Sequence, residues 1–168
     1  KIQKMISFPN AKINLGLNIV NRRTDGYHDI ETVFYPIVLC DALELVESKS
    51  DKEYSFFSKG INVDADVENN LITKAYNLLK KEYDIPNIEV YLQKNIPFGA
   101  GLGGGSADAA FMLRMLNEYF NLKISTSELE KYAARLGADC PFFIQNKPVY
   151  ATQIGNVFQE INISLKGK

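Results

Sequence analysis

The chain has 168 residues, 46% of them hydrophobic and 23% charged, enough to enclose one core and too apolar to stay disordered. Nineteen Lys and Arg against twenty Asp and Glu leave no net field to draw in nucleic acid or an anionic membrane, so any anion must be bound locally. Cys40 and Cys140 lack the spacing of a zinc site and read as reduced thiols, and no apolar run approaches the about 18 residues of a membrane span, so a cytoplasmic protein is expected.

In chain order, Met5 offers a natural start behind an upstream extension. Ile13, Leu15, Leu17 and Ile19 then alternate with polar or small neighbours between Lys12 and Asn21, the period-two pattern of a strand with one buried face. The turn Thr24, Asp25, Gly26 ends it, and further strands over Tyr27–Ile37, Ala42–Ser48 and Tyr54–Ser58 predict an antiparallel meander. Leu71, Ala75, Leu78 and Leu79 recur at helical spacing behind Asn69 or Asn70 as N-cap, giving a helix to about Tyr83, which Pro86 closes off. Ile88, Val90 and Leu92 form a half-buried strand. A helix follows from Ser106 to about Phe120, with Ala110, Leu113, Leu116 or Asn117, and Phe120 as its inner stripe.

Ser125 and Glu128 have capping-box spacing, so a further helix should run from Thr126 through Leu136 to a C-cap at Gly137. Phe142–Gln145 and Val149–Ile154 read as short strands across the turn Asn146, Lys147, Pro148. The expectation is one α+β domain, antiparallel strands first and helices later, without repeats or an internal linker.

Between Gly99 and Gly105 five of seven residues are glycine. Each costs roughly 0.5–1 kcal/mol of backbone entropy against alanine, and a plain hinge is better served by Ser, Asn or charged residues. Missing Cβ atoms let the backbone wrap an anion while the first N–H groups of the following helix point at it, so a phosphate site is the preferred reading. Gly99, Gly101 and Gly104 satisfy GxGxxG, but no second strand ending in an acid follows, no Walker Lys, and no HRD or DFG triplet.

The longer string Pro97–Ala110, PFGAGLGGGSADAA, resembles the phosphate loop of the GHMP kinases. Phe8–Leu17 (FPNAKINLGL), Gly26–Glu31 (GYHDIE), Glu68–Ala75 (ENNLITKA), Gly137–Phe142 (GADCPF) and Ala151–Gly155 are similar, in order, to blocks of the branch of that superfamily acting on a cytidine diphosphate compound of the non-mevalonate isoprenoid pathway. The resemblance implies the N-terminal domain of such a kinase, with the fold of ribosomal protein S5 domain 2, over residues 1–168. A second, ferredoxin-like domain would begin about where this chain ends. Gln153 and Asn156 depart from the family pattern, which has glycine and an acid there.

The resemblance also implies roles. Pro97, Gly99, Ala100, Gly101, Leu102, Gly103, Gly104, Gly105 and Ser106 would cradle the ATP phosphates, with Ser106 or a neighbour near Mg2+, whose ligands the sequence leaves unassigned. Asn70 with Leu71 would contact adenine. Asp139 would be the base. It is expected just after a helix C-terminus among apolar neighbours, a costly place for a lone carboxylate, although an Asx turn is the plain alternative. Lys12, between Ala11 and Ile13, needs an acidic partner if buried; Asp139 is the implied one, and a solvated edge lysine is the plain alternative. Asn14, two residues on, faces the same way. Tyr27 would stack on the cytosine and His28 read its edge. Asp108, on the first helical turn, suits the dipole and needs no catalytic role.

The expected ligands are thus ATP, Mg2+ and a small-molecule cytidine diphosphate substrate, with no nucleic acid or membrane partner and self-association into a homo-oligomer when this half stands alone. A mevalonate- or homoserine-type kinase is the alternative within the superfamily. A noncatalytic S5-like RNA-binding module is the alternative outside it, opposed by the mixed charges and the purpose the glycine loop would then lack.

Overall fold

The computed structural model describes residues 4–61 and 67–167. Their eight strands are β1 (Lys4–Ser7), β2 (Asn10–Arg22), β3 (His28–Cys40), β4 (Ala42–Glu47), β5 (Tyr54–Gly60), β6 (Ile88–Lys94), β7 (Val149–Thr152) and β8 (Val157–Glu160). Helices α1 (Leu71–Lys80), α2 (Gly104–Tyr119), α3 (Thr126–Ala134) and α4 (Cys140–Gln145) complete them, with a 3-10 turn at Val67–Asn69. The strands form two four-stranded sheets, ordered β1-β4-β6-β5 and β2-β3-β7-β8.

The meander expected of the first third is therefore replaced by a switch between sheets. β2 and β3 pair antiparallel in one sheet, whereas β4 pairs with β1 and β6 in the other. Asp41 alone separates β3 from β4 and is fully buried; its N–H donates to Pro9 O at 2.8 Å, holding the corner. β5 pairs parallel to β6, because α1 lies between them in the chain and parallel neighbours need such a crossover. Alternation marks a strand and its faces, and carries nothing about which strand lies beside it.

Leu43, Leu45, Val90 and Leu92 on the first sheet pack into one core with Ile72 and Leu79 of α1 and Met112 and Leu116 of α2. α2 is buried on several sides, its small Ala107, Ala109 and Ala110 among them, so the expected stripe of Ala110, Leu113 and Leu116 is only part of a wider buried surface. Phe120 lies at its C-cap and Asn117 is half-buried, bonding Ile124 at both backbone N–H and carbonyl to fix the approach to α3. The capping box of Ser125 and Glu128 is present. α3 ends on Arg135 in a right-handed conformation rather than on Gly137.

Phe142–Gln145 is helical, not a strand. A continuous apolar run has no period to read, and Phe142, Phe143 and Ile144 are all buried. The signals lay at its ends: Pro141 in the first turn and Asn146 as a left-handed cap whose N–H returns to Phe142 O. The buried face expected along β2 also fails beyond Leu15. Leu17 and Ile19 are 56% and 65% exposed, because the distal β2–β3 hairpin runs past the reach of β7, which pairs only with Thr32–Phe34.

Candidate functional site

The glycine loop leaves β6 and enters α2. Gly99, Gly101 and Gly103 have φ of +68°, +73° and +70°, so every second residue is left-handed, a backbone that L side chains avoid. Gly103 is the N-cap of α2, and no side chain caps the helix start. Leu71 and residues 97–106 line a cleft of about 260 Å³ there. Close approach matters as much as φ. A Cβ at Gly103 would meet the Phe143 ring at 3.0 Å and Lys12 Cγ at 3.2 Å, and one at Gly104 would meet Ile96 Cγ2 at 2.8 Å.

β2 carries the chemistry to this loop. The Lys12 N–H donates to Leu102 O at 2.9 Å, tying strand and loop together. The Lys12 side chain is 7% exposed, and its ammonium lies 3.5 Å from Asp139 Oδ2, donates to Asn14 Oδ1 at 2.7 Å and sits 4.6 Å from the centroid of the Phe34 ring. The cation thus meets an anion, a dipole and a π face, the kinds of partner a buried ammonium requires. The plain alternative of a solvated edge lysine is excluded by its burial.

Asp139 stands elsewhere than expected with respect to the dipoles. Because Cys140–Gln145 is a helix, Asp139 is its N-cap rather than the sequel to a C-terminus, and the local dipole favours its charge. It makes no capping bond with its side chain, which keeps 34% exposure and is aimed at Lys12 and solvent. Beside it, burial pushes the Cys140 thiol up to about 11, partly offset by a hydrogen bond with Ser106.

The remaining expected residues divide. Asn70 is the N-cap of α1, its Oδ1 accepting from the Ile72 N–H at 2.8 Å, while its neighbour Leu71 reaches the loop cleft. Tyr27 and His28 lie at the far end of the β2–β3 hairpin, both exposed, Tyr27 by 61%. Their turn is braced: Arg23 bridges Asp25 and Asp29 at 3.0 and 3.1 Å, and Asp25 Oδ1 accepts from the Tyr27 N–H. That N–H, then Arg23, lowers the Asp25 carboxyl. Lys12, Asn14, Asp139 and the glycine loop are brought together at the hairpin's base, and Tyr27 and His28 are held apart from them at its tip.

Sequence reading missed a buried cluster under the loop. Lys94 is fully buried and bonds both Asp41 and Asp108, the latter at 2.8 Å. Asp108 lies on the second turn of α2, 2% exposed, so it is no surface acid at a helix start. Its burial, with a contribution from Asp41, raises its carboxyl to about 8 against the opposing pull of Lys94. The signal was available in part, since the alternation Ile88, Val90, Leu92 continues inward to Lys94. Among the described residues no group of three His, Cys, Asp or Glu could hold a metal ion, and no helix is long and apolar enough to cross a membrane.

Comparison with known proteins covers part of this geometry. Residues 70–147, which contain the loop, Asp139 and α4, match the family described as GHMP kinases N terminal domain. Over that segment the chain carries a GHMP kinase N-terminal domain. It is 60% identical over 162 residues to a protein of Azobacteroides pseudotrichonymphae, and 57% identical over 164 residues to one of Bacteroides fragilis, both named 4-diphosphocytidyl-2-C-methyl-D-erythritol kinase. These alignments cover 96% and 97% of this chain, which spans about 60% of the length of each relative. A crystal structure of 4-(cytidine 5'-diphospho)-2C-methyl-D-erythritol kinase superposes with a TM-score of 0.81 at 33% identity, covering 95% of this chain and 56% of that one. Mevalonate kinase from Methanococcus jannaschii, at 15% identity and TM-score 0.70, shares the fold, over 95% of this chain and 56% of its own.

Proposed function

We propose that this chain is the nucleotide- and substrate-binding part of an ATP-dependent kinase that phosphorylates a hydroxyl of 4-diphosphocytidyl-2-C-methyl-D-erythritol. One observation carries the chemistry: an ion pair of a buried lysine and a half-exposed aspartate, 3.5 Å apart, is tied by backbone to a left-handed glycine loop at a helix start. The names of the relatives supply the substrate.

In this reading the backbone N–H groups of Gly101–Ser106 hold the ATP phosphates, and Asp139 Oδ2 takes the proton of the acceptor hydroxyl. The bond from the acceptor's hydroxyl oxygen to the γ-phosphorus forms as the bond to the leaving ADP oxygen breaks. Lys12 pairs with Asp139 and faces the charge that develops on the hydroxyl oxygen. The donor set near the loop suits a Mg2+ held chiefly by the nucleotide, since that ion usually takes only one or two protein oxygens. Ser106, on the first turn of α2, would supply the protein oxygen, and the ion would neutralise phosphate charge. Tyr27 and His28 would receive the cytosine, and Asn70 with Leu71 the adenine. The relatives carry further chain, and a ferredoxin-like domain is the proposed opposite wall of the cleft.

The test is Asp139→Asn in the protein that carries this chain, assayed by ADP release with the diphosphocytidyl substrate. Turnover should fall by about 10² to 10⁴, with ATP affinity kept within a few-fold. Retention of more than about a tenth of the turnover removes Asp139 from the role of base. A thermal-shift panel of the same substrate, mevalonate and homoserine separates the substrate assignment from its superfamily alternatives, only the first being expected to stabilise.

A further inference from the structure

β2 and β3 are out of simple register between Leu15 and Leu17, where Gly16 adopts a φ of +70°. A bulge of this kind inserts one left-handed residue and turns its peptide away from the ladder. The carbonyl so turned accepts a hydrogen bond from the Thr32 hydroxyl at 2.6 Å. Thr32 lies opposite on β3 and is 3% exposed. Its Oγ1 in turn accepts from Asn14 Nδ2 at 3.0 Å, and Asn14 Oδ1 accepts from Lys12 Nζ at 2.7 Å. Lys12 then meets Asp139.

The direction of this chain is set at both ends. An ammonium only donates, so the Asn14 atom facing Lys12 must be its carbonyl oxygen; a peptide carbonyl only accepts, so the Thr32 proton must point at Gly16. Between these ends the Asn14 amide has one orientation that satisfies every group. Remove the hydroxyl, and Asn14 loses the acceptor for its N–H, so that the bond from Lys12 alone still orients the amide. The rotated amide would present N–H to the Lys12 ammonium, a donor against a donor beside a cation that has few other partners.

We propose that Thr32 is a positioning residue for phosphoryl transfer: its hydroxyl, oriented by the Gly16 bulge, fixes the Asn14 amide and through it holds Lys12 against Asp139. The inference rests on the kinase reading above for its consequence in turnover, and on geometry alone for the relay. Thr32 touches none of the reacting groups. Its effect is transmitted by two hydrogen bonds.

Thr32→Val removes the hydroxyl at nearly constant volume, and Thr32→Ser keeps it. In the protein that carries this chain, side-chain amide signals of Asn14 read the relay without turnover. Proton exchange at the Asn14 amide should quicken at least about tenfold in Thr32→Val and stay near the parent in Thr32→Ser, and unchanged exchange in the Val variant overturns the relay. With ATP and the diphosphocytidyl substrate, kcat should fall about tenfold in Thr32→Val, the equivalent of one hydrogen bond of about 1.4 kcal/mol, while the KM for ATP holds within about twofold. Thr32→Ser should restore most of that loss. Equal loss in both variants assigns the effect to the methyl group's packing and overturns the proposal. Absence of turnover in the parent protein would instead defeat the kinase reading, with the amide exchange still deciding the relay.

Discussion

Alanine substitutions at Gly99 and Gly103 separate two reasons for glycine in the loop before α2. Both residues have positive φ, +68° and +70°, so alanine at either meets the left-handed penalty of roughly 1–2 kcal/mol, partly offset by about 0.4–1 kcal/mol from a less flexible unfolded chain. The Cβ at Gly99 would enter open space, whereas that at Gly103 would press the Phe143 ring at 3.0 Å and Lys12 Cγ at 3.2 Å. Phe143 is fully buried and packed edge-on against Phe142, so it has little room to yield, and overpacking of this kind costs roughly 1–3 kcal/mol. At about 2–4 °C per kcal/mol for a chain of this size, Gly103→Ala should melt roughly 2–12 °C below Gly99→Ala. Thermal unfolding followed by circular dichroism measures the difference, and urea midpoints at unchanged slope check that both variants unfold from the same state. Equal melting temperatures would refute the claim that contact with Phe143 and Lys12, beyond backbone φ, requires glycine at 103.

Two other variants test buried charge and backbone strain. The Asp108 carboxyl sits at about 8 in the folded chain against 3.8 in the unfolded one, so the native state keeps a proton that the unfolded state releases; stability should decline as pH rises from about 4 to 8. Asp108→Asn cannot titrate and should flatten that decline in urea midpoints taken between pH 5 and pH 9, while an unaltered slope would mean that Asp108 is ionised throughout. Gln153 occupies φ +58°, a conformation that favours glycine, and Gln153→Gly should therefore raise the melting temperature by roughly 1–4 °C, for relief of about 0.5–1 kcal/mol. A lower melting temperature would show that the Gln153 side chain contributes more than its backbone costs.

Much of the site was legible because its residues carry local signatures. Five glycines between 99 and 105 announce a backbone that must do without Cβ atoms, three of them proving left-handed, and the apolar neighbours of Lys12 announce a buried cation in search of an acid. Asn70 and the Ser125–Glu128 box marked helix starts for the same reason: the cap bonds lie within three residues. What failed depends on distant partners. Within Phe142–Ile144 no period distinguishes helix from strand, the signals sitting only at its ends in Pro141 and Asn146, and reading it as strand reversed the sign of the dipole acting on Asp139. Nothing near Asp108 in sequence announces Lys94 beneath it, and the exposure of Leu17 and Ile19 follows from how far β7 extends, a property of another segment.

A loop with five glycines between 99 and 105 would, left to itself, sample many shapes, and a phosphate site assembled only on binding would lose affinity to that ordering. The contacts around it answer this from three sides. Asp41 Oδ1 accepts from the backbone N–H groups of Asn95 and Ile96, at 2.6 and 2.9 Å, fixing where the chain leaves β6. Lys94 then joins Asp41 to Asp108, so the strand before the loop and the helix after it are fastened to one buried ion cluster. The third tie is Lys12, whose N–H holds Leu102 O in the loop's middle while its side chain meets Asp139. Displacing the loop from β2 would therefore also move the backbone that carries the ammonium. In this fold the shape of the glycine-loop backbone and the geometry of the charged pair beside it are set by the same residue, which is why a clash at Gly103, felt by Lys12 Cγ, reaches the pair with Asp139 as well as the core.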